Sequence, residues 1–415
     1  MLETYFNYAA VLDRLRQGPL SGALDDIADK FTNQGYARLT AVRYLSLLGS
    51  FNRYAKAAGC DSPQQINEEL MMQFLKEFRK AKSTLILLKT ALNHLSNYLN
   101  HHYPKAAQLS VSIEPDEQLL INLEFHLKNI RGLQPGSRSE ILRLGLRMLK
   151  WYRVHRSDQT LSQLSGKDVL DFVAIASQQC KAASTRSQMV SHVRNFLRYL
   201  HWEGILENDI SHVVPRTPCW RLARVPNYLT WRDVLRVIDA IDARTAIGKR
   251  DRAILLLLAT TGLRNKEVRL LQLQDIHWRT GEVHIRETKS RREHRVPLLE
   301  ETGSALAEYV LEGRPTTTDS TIFLCHRPPV RPLGCSGTLS FIVKRRLADC
   351  GIRPAHAGAH LIRHSLATRM VQQDRSIKEV ADLLGHRHID TTAIYVKVAL
   401  SQLLEVALPF PGGLS

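Results

Sequence analysis

Cysteine is scarce and scattered in this chain: the six residues, at 60, 180, 219, 325, 335 and 350, form no Cys-x-x-Cys pair. That argues against a zinc ribbon or a disulfide framework and leaves buried reduced thiols as the ordinary reading. Long apolar runs are missing too. The longest, Ala253 to Ala259, falls far short of the roughly 20 residues that span a bilayer. The opening Met1-Leu2-Glu3-Thr4-Tyr5 lacks the basic start and apolar stretch of a secretory signal, so a cytoplasmic, non-membrane protein is expected. No Gly-x-x-x-x-Gly-Lys-Ser/Thr phosphate loop occurs, which argues against an ATP-driven enzyme. Acidic residues are in deficit, 40 against 57 Lys and Arg, for a net charge of +17. Such a balance favours a polyanionic partner, although charge alone does not decide between DNA, RNA and an anionic membrane.

At 415 residues the chain exceeds one typical core, and the usual domain size of roughly 100 to 200 residues suggests two or three domains. The first half is helical in its spacing of apolar residues and carries a weak internal repeat. Leu45, Leu48 and Phe51 match Leu146, Leu149 and Tyr152, and Leu92, Leu95, Tyr98 and Leu99 match Val193, Phe196, Tyr199 and Leu200. Ser83-Thr84 and Ser184-Thr185 stand where an N-cap would open the last helix of each copy. Lys105 to Asp116 loses the helical period and reads as a linker. Val213 to Tyr228, with Pro215, Pro218 and Pro226 and the basic Arg216, Arg221 and Arg224, reads as an extended strap suited to a phosphate backbone or as an ordinary solvated linker.

From Thr230 the pattern changes. Thr230 opens a helix, Arg250 to Gly262 is a buried apolar helix stopped by glycine, and Val283 to Arg286 and Arg295 to Leu298 alternate as two short strands. Helices are expected over Gly337 to Cys350, His360 to Gln373, Ile377 to Leu384 and Thr391 to Tyr395, followed by a tail helix up to Pro409.

Four motifs in this part carry chemistry. Thr260-Thr261-Gly262-Leu263-Arg264 puts an arginine after a glycine at the start of a new helix, where both guanidinium and helix N-terminus can address a phosphate. Glu267, three residues on, reads as a carboxylate that orients a partner. His360 and Arg363 lie at i and i+3, on one helix face. The arginine can bind a phosphate through two parallel N–H groups, and the histidine can donate to it or shuttle a proton. A competing reading takes His356, His360 and His364 as metal ligands, but Gly358 interrupts the helix this needs. Lys289 sits in the polar tip between the two strands, among Arg291, Arg292 and Arg295, and is the one lysine between Lys266 and Lys344. Finally His386, in Leu383-Leu384-Gly385-His386, precedes Tyr395. A tyrosine oxygen can attack a phosphodiester without metal or nucleotide when cations hold the phosphate.

The order Arg264, Lys289, His360, Arg363, His386, Tyr395 resembles the tyrosine recombinase (phage integrase-like) family over residues from about 115 to 400. The resemblance implies a mainly α fold. Two N-terminal helical, SAM-like domains, at 1–110 and 115–215, would precede an α+β catalytic domain at 228–400 with a small antiparallel sheet, and then a tail at 401–415. The segment 115–215 would clamp DNA opposite the catalytic domain, with Arg186, Arg291 and Arg292 as DNA contacts.

The same resemblance implies a 3′-phosphotyrosyl intermediate on Tyr395, with Lys289 protonating the leaving 5′ oxygen and His386 bonding a phosphate oxygen. No cofactor and no metal are implied. The partner would be double-stranded DNA, engaged as a homotetramer on two sites, with companion recombinases a further option. The tail from Val396 looks like that of mobile-element members, including the recombinases found in trios, and would pack onto the next protomer or cap its own. Relaxation of one duplex, as in type IB topoisomerases, and a non-cleaving DNA-binding protein on the same fold are the alternatives. On the DNA reading, affinity measured for a duplex falls steeply as salt is added, because counterions are released on binding; a flat salt response counts against it.

Overall fold

A computed structural model of the chain describes residues 2–78, 82–103, 115–217, 227–286, 293–385, 392 and 395. The chain divides into two compact units, residues 107–223 and residues 1–106 together with 224–415. The described residues are mainly helical, with one small antiparallel sheet, as the resemblance implied.

The N-terminal stretch holds helices α1 (Ala9–Arg16), α2 (Ser21–Asn33), α3 (Arg38–Ala57), α4 (Glu68–Glu77) and α5 (Lys82–His102) around a core that includes Phe31, Leu48, Phe51 and Leu95. The 107–223 unit holds α6 (Pro115–Phe125), α7 (Pro135–His155), α8 (Gly166–Gln178) and α9 (Ala183–Trp202), with a core around Leu149, Tyr152, Phe172 and Phe196. Six of the seven repeat pairs are buried in both copies. The exception is Leu45, fully buried, against Leu146, 38% exposed. The capping expectation fails: α9 starts at Ala183 with Ala182 as its uncapped N-cap, and α5 already contains Ser83 and Thr84. Serine and threonine in the first turn satisfy the capping pattern in sequence while lying one or two residues too late. The first linker also ends early, since Pro115 and Asp116 belong to α6, where proline's fixed φ suits the first helical position. The remainder of that linker, and residues 218–226 of the second, lie outside the described residues.

The C-terminal part is built on α11 (Ala246–Thr261). Its run from Ala253 to Ala259 is buried on every side, which is why the sequence there shows an unbroken apolar stretch and no stripe. Before it stands α10 (Trp231–Asp239), whose N-cap Thr230 accepts from the Asp233 N–H at 3.2 Å. After it come α12 (Asn265–Leu270), strands β1 (Ile276–His277), β2 (Glu282–Ile285) and β3 (His294–Pro297), then α13 (Glu300–Glu308), α14 (Ser336–Asp349), α15 (Ala359–Gln372) and α16 (Ile377–Leu383). The sheet order is β1-β2-β3, with Val283 opposite Val296 and both buried. The expected strands are each one residue out of step, and β1, only two residues long, is too short to show a period.

Two interactions lock α15 into this body. Ser365 accepts the Leu229 N–H at 2.8 Å, and the Arg369 guanidinium lies 4.0 Å over the Trp231 ring. Deeper down, buried Asp251 on α11 accepts from Arg250 (Nη2, 2.7 Å) through one oxygen and from Arg346 of α14 (Nη2, 2.7 Å) through the other. Both guanidinium groups are themselves largely covered. Replacing that carboxylate strands two cations in a region of low polarity, so Asp251→Ala should lower stability by about 3–5 kcal/mol, read as a drop in the urea midpoint of the full chain.

Candidate active site

The site begins where α11 stops. Gly262 takes the left-handed conformation, φ 63°, and its N–H closes the last turn on Leu258 O. This turns the chain so that Arg264, in extended backbone, becomes the N-cap of α12. Glu267 then reaches back, accepting the Arg264 N–H at 2.7 Å and Arg264 Nη1 at 2.9 Å. The carboxylate is buried, and holding both backbone and side chain of one residue leaves the guanidinium little freedom.

Arg363, on α15, is buried, and each of its two terminal nitrogens meets a helix end. Nη1 donates to Gly262 O at the close of α11, and Nη2 donates to Leu384 O, at 2.7 Å, just past α16. Arg264 Nη2 donates to the next carbonyl, Gly385 O, at 3.3 Å, and a His294–Leu383 O contact at 3.3 Å brings β3 to the same place. The last carbonyls of a helix have no partner within it and carry its partial negative charge, which makes such an end a natural seat for cations. Burial and the adjacent Arg264 pull Arg363 down to about 10. It remains charged at neutral pH, and relief of that pressure favours an anion alongside.

Tyr395 is buried, 2% exposed, against Ala367, Val371, Val380 and Leu384. Its N–H bonds Thr392 O at 3.0 Å. Burial pushes the phenol up to about 12, against the pull of the Arg363 charge. The hydroxyl is joined by a 2.7 Å hydrogen bond to Nδ1 of His364, whose ring is held down at about 4 by burial and by its neighbours His360 and Arg363. His360 is exposed, its ring centroid 6.5 Å from that of His364.

Of the residues singled out from the sequence, Arg264, Glu267, His360, Arg363 and Tyr395 come together here. Lys289, Arg291, Arg292 and His386 lie outside the described residues. Arg186 lies in the other unit, exposed on α9, donating to Cys180 O at 3.5 Å. In the sequence His364 figures only as one of the three histidines of the metal-ligand reading. Its i+4 spacing from His360 was visible, but its contact with a tyrosine 31 residues on was not. Among the described residues no group of three or more His, Cys, Asp or Glu could hold a metal, and no helix is long and apolar enough to cross a membrane.

Two arginines, Arg264 and Arg363, and a buried tyrosine thus meet at the end of α16, on a helical body with a three-stranded sheet. The sequence profile of the phage integrase family matches residues 227–402. A Sinorhizobium fredii protein named as an integrase/recombinase, y4rF, is 47% identical over the whole of this chain and 96% of its own length. The tyrosine recombinase XerC of Oceanobacillus iheyensis is 30% identical over 59% of this chain and 80% of its own. Among solved structures, the XerH site-specific recombinase in its post-cleavage complex with palindromic difH covers 81% of this chain and 92% of its own, with a TM-score of 0.55 at 19% identity. A lambda integrase (75–356) dimer bound to a COC′ core site gives 0.51 at 18%, over 67% of this chain and 94% of its own. The chain belongs to the phage integrase family of tyrosine recombinases.

The glycine at 262 is the joint on which this geometry turns. A Cβ there would stand 2.6 Å from Leu384 Cδ2 and 3.1 Å from Leu366 Cδ2, on backbone that L side chains avoid. Gly262→Ala should destabilise the protein by about 1–2 kcal/mol from the backbone alone, with further loss as Leu384 is displaced, measured by urea unfolding.

Proposed function

We propose that the protein is a site-specific DNA recombinase that breaks and rejoins strands through a covalent tyrosyl intermediate, serving integration, excision or transposition of a mobile element. The observation that carries this reading is the convergence of Arg264, Arg363 and Tyr395, with the Arg363 charge acting on the phenol. Family membership and the net charge of +17 support DNA as the partner, as do relatives solved on their DNA sites.

In this reading Tyr395 attacks the scissile phosphorus in line, giving a 3′-phosphotyrosyl link and a free 5′ hydroxyl. Arg264 and Arg363 bind the non-bridging oxygens, with His360 and, by resemblance, His386. Lys289, again by resemblance, gives the departing 5′ oxygen its proton, a task for which an ammonium is suited and a guanidinium is not. Glu267 holds Arg264 in place and stays off the phosphate, which it would repel. The phosphotyrosyl bond conserves the energy of the broken phosphodiester, so a 5′ hydroxyl from a second duplex can reverse the step without ATP or metal. Segment 115–215 and the catalytic part at 228–400 would grip the duplex between them, with Arg186, Arg291 and Arg292 on the backbone. Exchange between two sites calls for a closed assembly, four protomers on two duplexes, with or without companion recombinases, and the tail at 401–415 is a candidate link between protomers.

The test starts in cells: DNA covalently bound to the full chain is recovered and sequenced, and a duplex of that sequence is nicked next to the break to trap the intermediate. Wild-type protein should form an adduct stable to denaturant and release a 5′ end that a polynucleotide kinase can label. Tyr395→Phe should form none, and loss of either arginine should slow cleavage by about 100-fold or more. Absence of an adduct from wild-type protein, or its persistence in Tyr395→Phe, overturns the reading. Joining of strands from two duplexes then separates recombination from relaxation.

A further inference from the structure

A tyrosine with its pKa pushed up to about 12 is a poor nucleophile at neutral pH and needs somewhere to put its proton. Of the two histidines on this face of α15, the motif histidine His360 is the one sequence spacing points to, yet the phenol touches His364. The separation of 2.7 Å is typical of an O–H donor and shorter than the usual N–H bond of about 2.9–3.0 Å. In the tautomer that carries its proton on Nε2, Nδ1 accepts from the Tyr395 hydroxyl at this distance. The same ring lines an open cleft of about 340 Å³ shared with Asn227, Ser340, His356, Gly358 and His360, so one edge of the imidazole meets the nucleophile and the residue also borders solvent.

We propose that His364 takes the phenolic proton of Tyr395 as the bond to phosphorus forms, a role that rests on the strand-cleavage reading above. The step balances: Tyr395 Oη bonds to phosphorus, the bond from phosphorus to the 5′ oxygen breaks, and that oxygen receives a proton from Lys289. The phenolic proton passes to His364 Nδ1, and the imidazolium then gives up its Nε2 proton to water in the cleft. In rejoining, His364 in its protonated form returns a proton to the departing tyrosine. The titratable and charged groups near this pair are His360 and Arg363 on the same helix and His356, which lines the same cleft; Arg264 and Glu267 of α12 act on Arg363. Burial first, then His360 and Arg363, keep the ring neutral, so that its lone pair is free, and also weaken it as a base; the negative charge of a bound phosphate would act in the opposite sense and raise its basicity.

Two variants separate holding the phenol from taking its proton. His364→Asn retains an acceptor oxygen close to the position of Nδ1 but cannot become a cation; His364→Leu retains neither. Cleavage of the nicked duplex recovered from covalent complexes is followed in a single turnover with full-length protein from pH 6.5 to 9.5. Duplex affinity and thermal unfolding are recorded for each variant. Both variants should bind the duplex as wild type does and cleave it about 100-fold or more slowly at pH 7, the usual worth of a positioned base. Without His364 the phenol has to ionise unaided, so the ratio of wild-type to variant rate should shrink by about tenfold per pH unit, a ratio in which the ionisation of Lys289 cancels. Wild-type rates in His364→Asn, or a deficit that does not change with pH, would show that the histidine only positions the ring and would overturn the proposal. Failure of wild-type protein to form any adduct would instead bring down the cleavage reading, and this one with it.

Discussion

One buried guanidinium, that of Arg363, ties this site together. A cation taken out of water is costly unless its hydrogen bonds are met, and here two are met by the carbonyls that close α11 and α16, Gly262 O and Leu384 O. Neither carbonyl has a partner within its helix, so one side chain satisfies two helix ends and fixes the distance between them. The positions around it follow. Gly262 must be left-handed to present its carbonyl and turn the chain towards Arg264, and Gly385, also left-handed at φ 59°, ends α16 so that its own carbonyl meets the Arg264 guanidinium. The pocket's positive charge is thus built on the negative ends of two helices and one carboxylate, Glu267, which stabilise the two arginines.

That arrangement also explains how two like charges are held side by side without forcing the fold apart. Burial and, after it, Arg264 depress Arg363, the second a like-charge repulsion that an anion between them would offset. In the proposed reaction, binding of a phosphate would gain from the relief of this repulsion as well as from the contacts made. The counter-charges that hold the arginines are carbonyl dipoles and the one carboxylate engaged with Arg264.

Much of this was legible in the sequence, for identifiable reasons. The arginine after Gly262, Glu267 three residues later and Arg363 three after His360 are local patterns on helix starts and faces, and local geometry is what spacing encodes. The long apolar run of α11 and its glycine stop were readable in the same way. What escaped were relations across the chain. Asp251 looks like one acid in a charged stretch until α14 brings Arg346 to it, and the carbonyls of Leu384 and Gly385 carry no side-chain signal at all. The cap expected at Ser184 failed because residues that favour caps are also tolerated in the first turn, where only backbone angles separate the two.

Tyr395 illustrates the same division within a single residue. A tyrosine near a helix is most often a core aromatic, and this ring is one, packed against Ala367 and Val371 of α15, Val380 of α16, and Leu384. Its other end is the candidate nucleophile. The two descriptions support each other: apolar packing of the ring fixes the direction of the oxygen, burial raises its pKa so that it stays protonated until needed, and a neutral histidine at 2.7 Å meets the buried hydroxyl that would otherwise want water. Because α15 carries Arg363 and His364 in succession, the same helix turn that would grip the phosphate also holds the oxygen proposed to attack it. Displacement of α15 would therefore disturb both together, which is a physical reason for the Ser365 and Arg369 contacts that bind this helix to the start of the catalytic body.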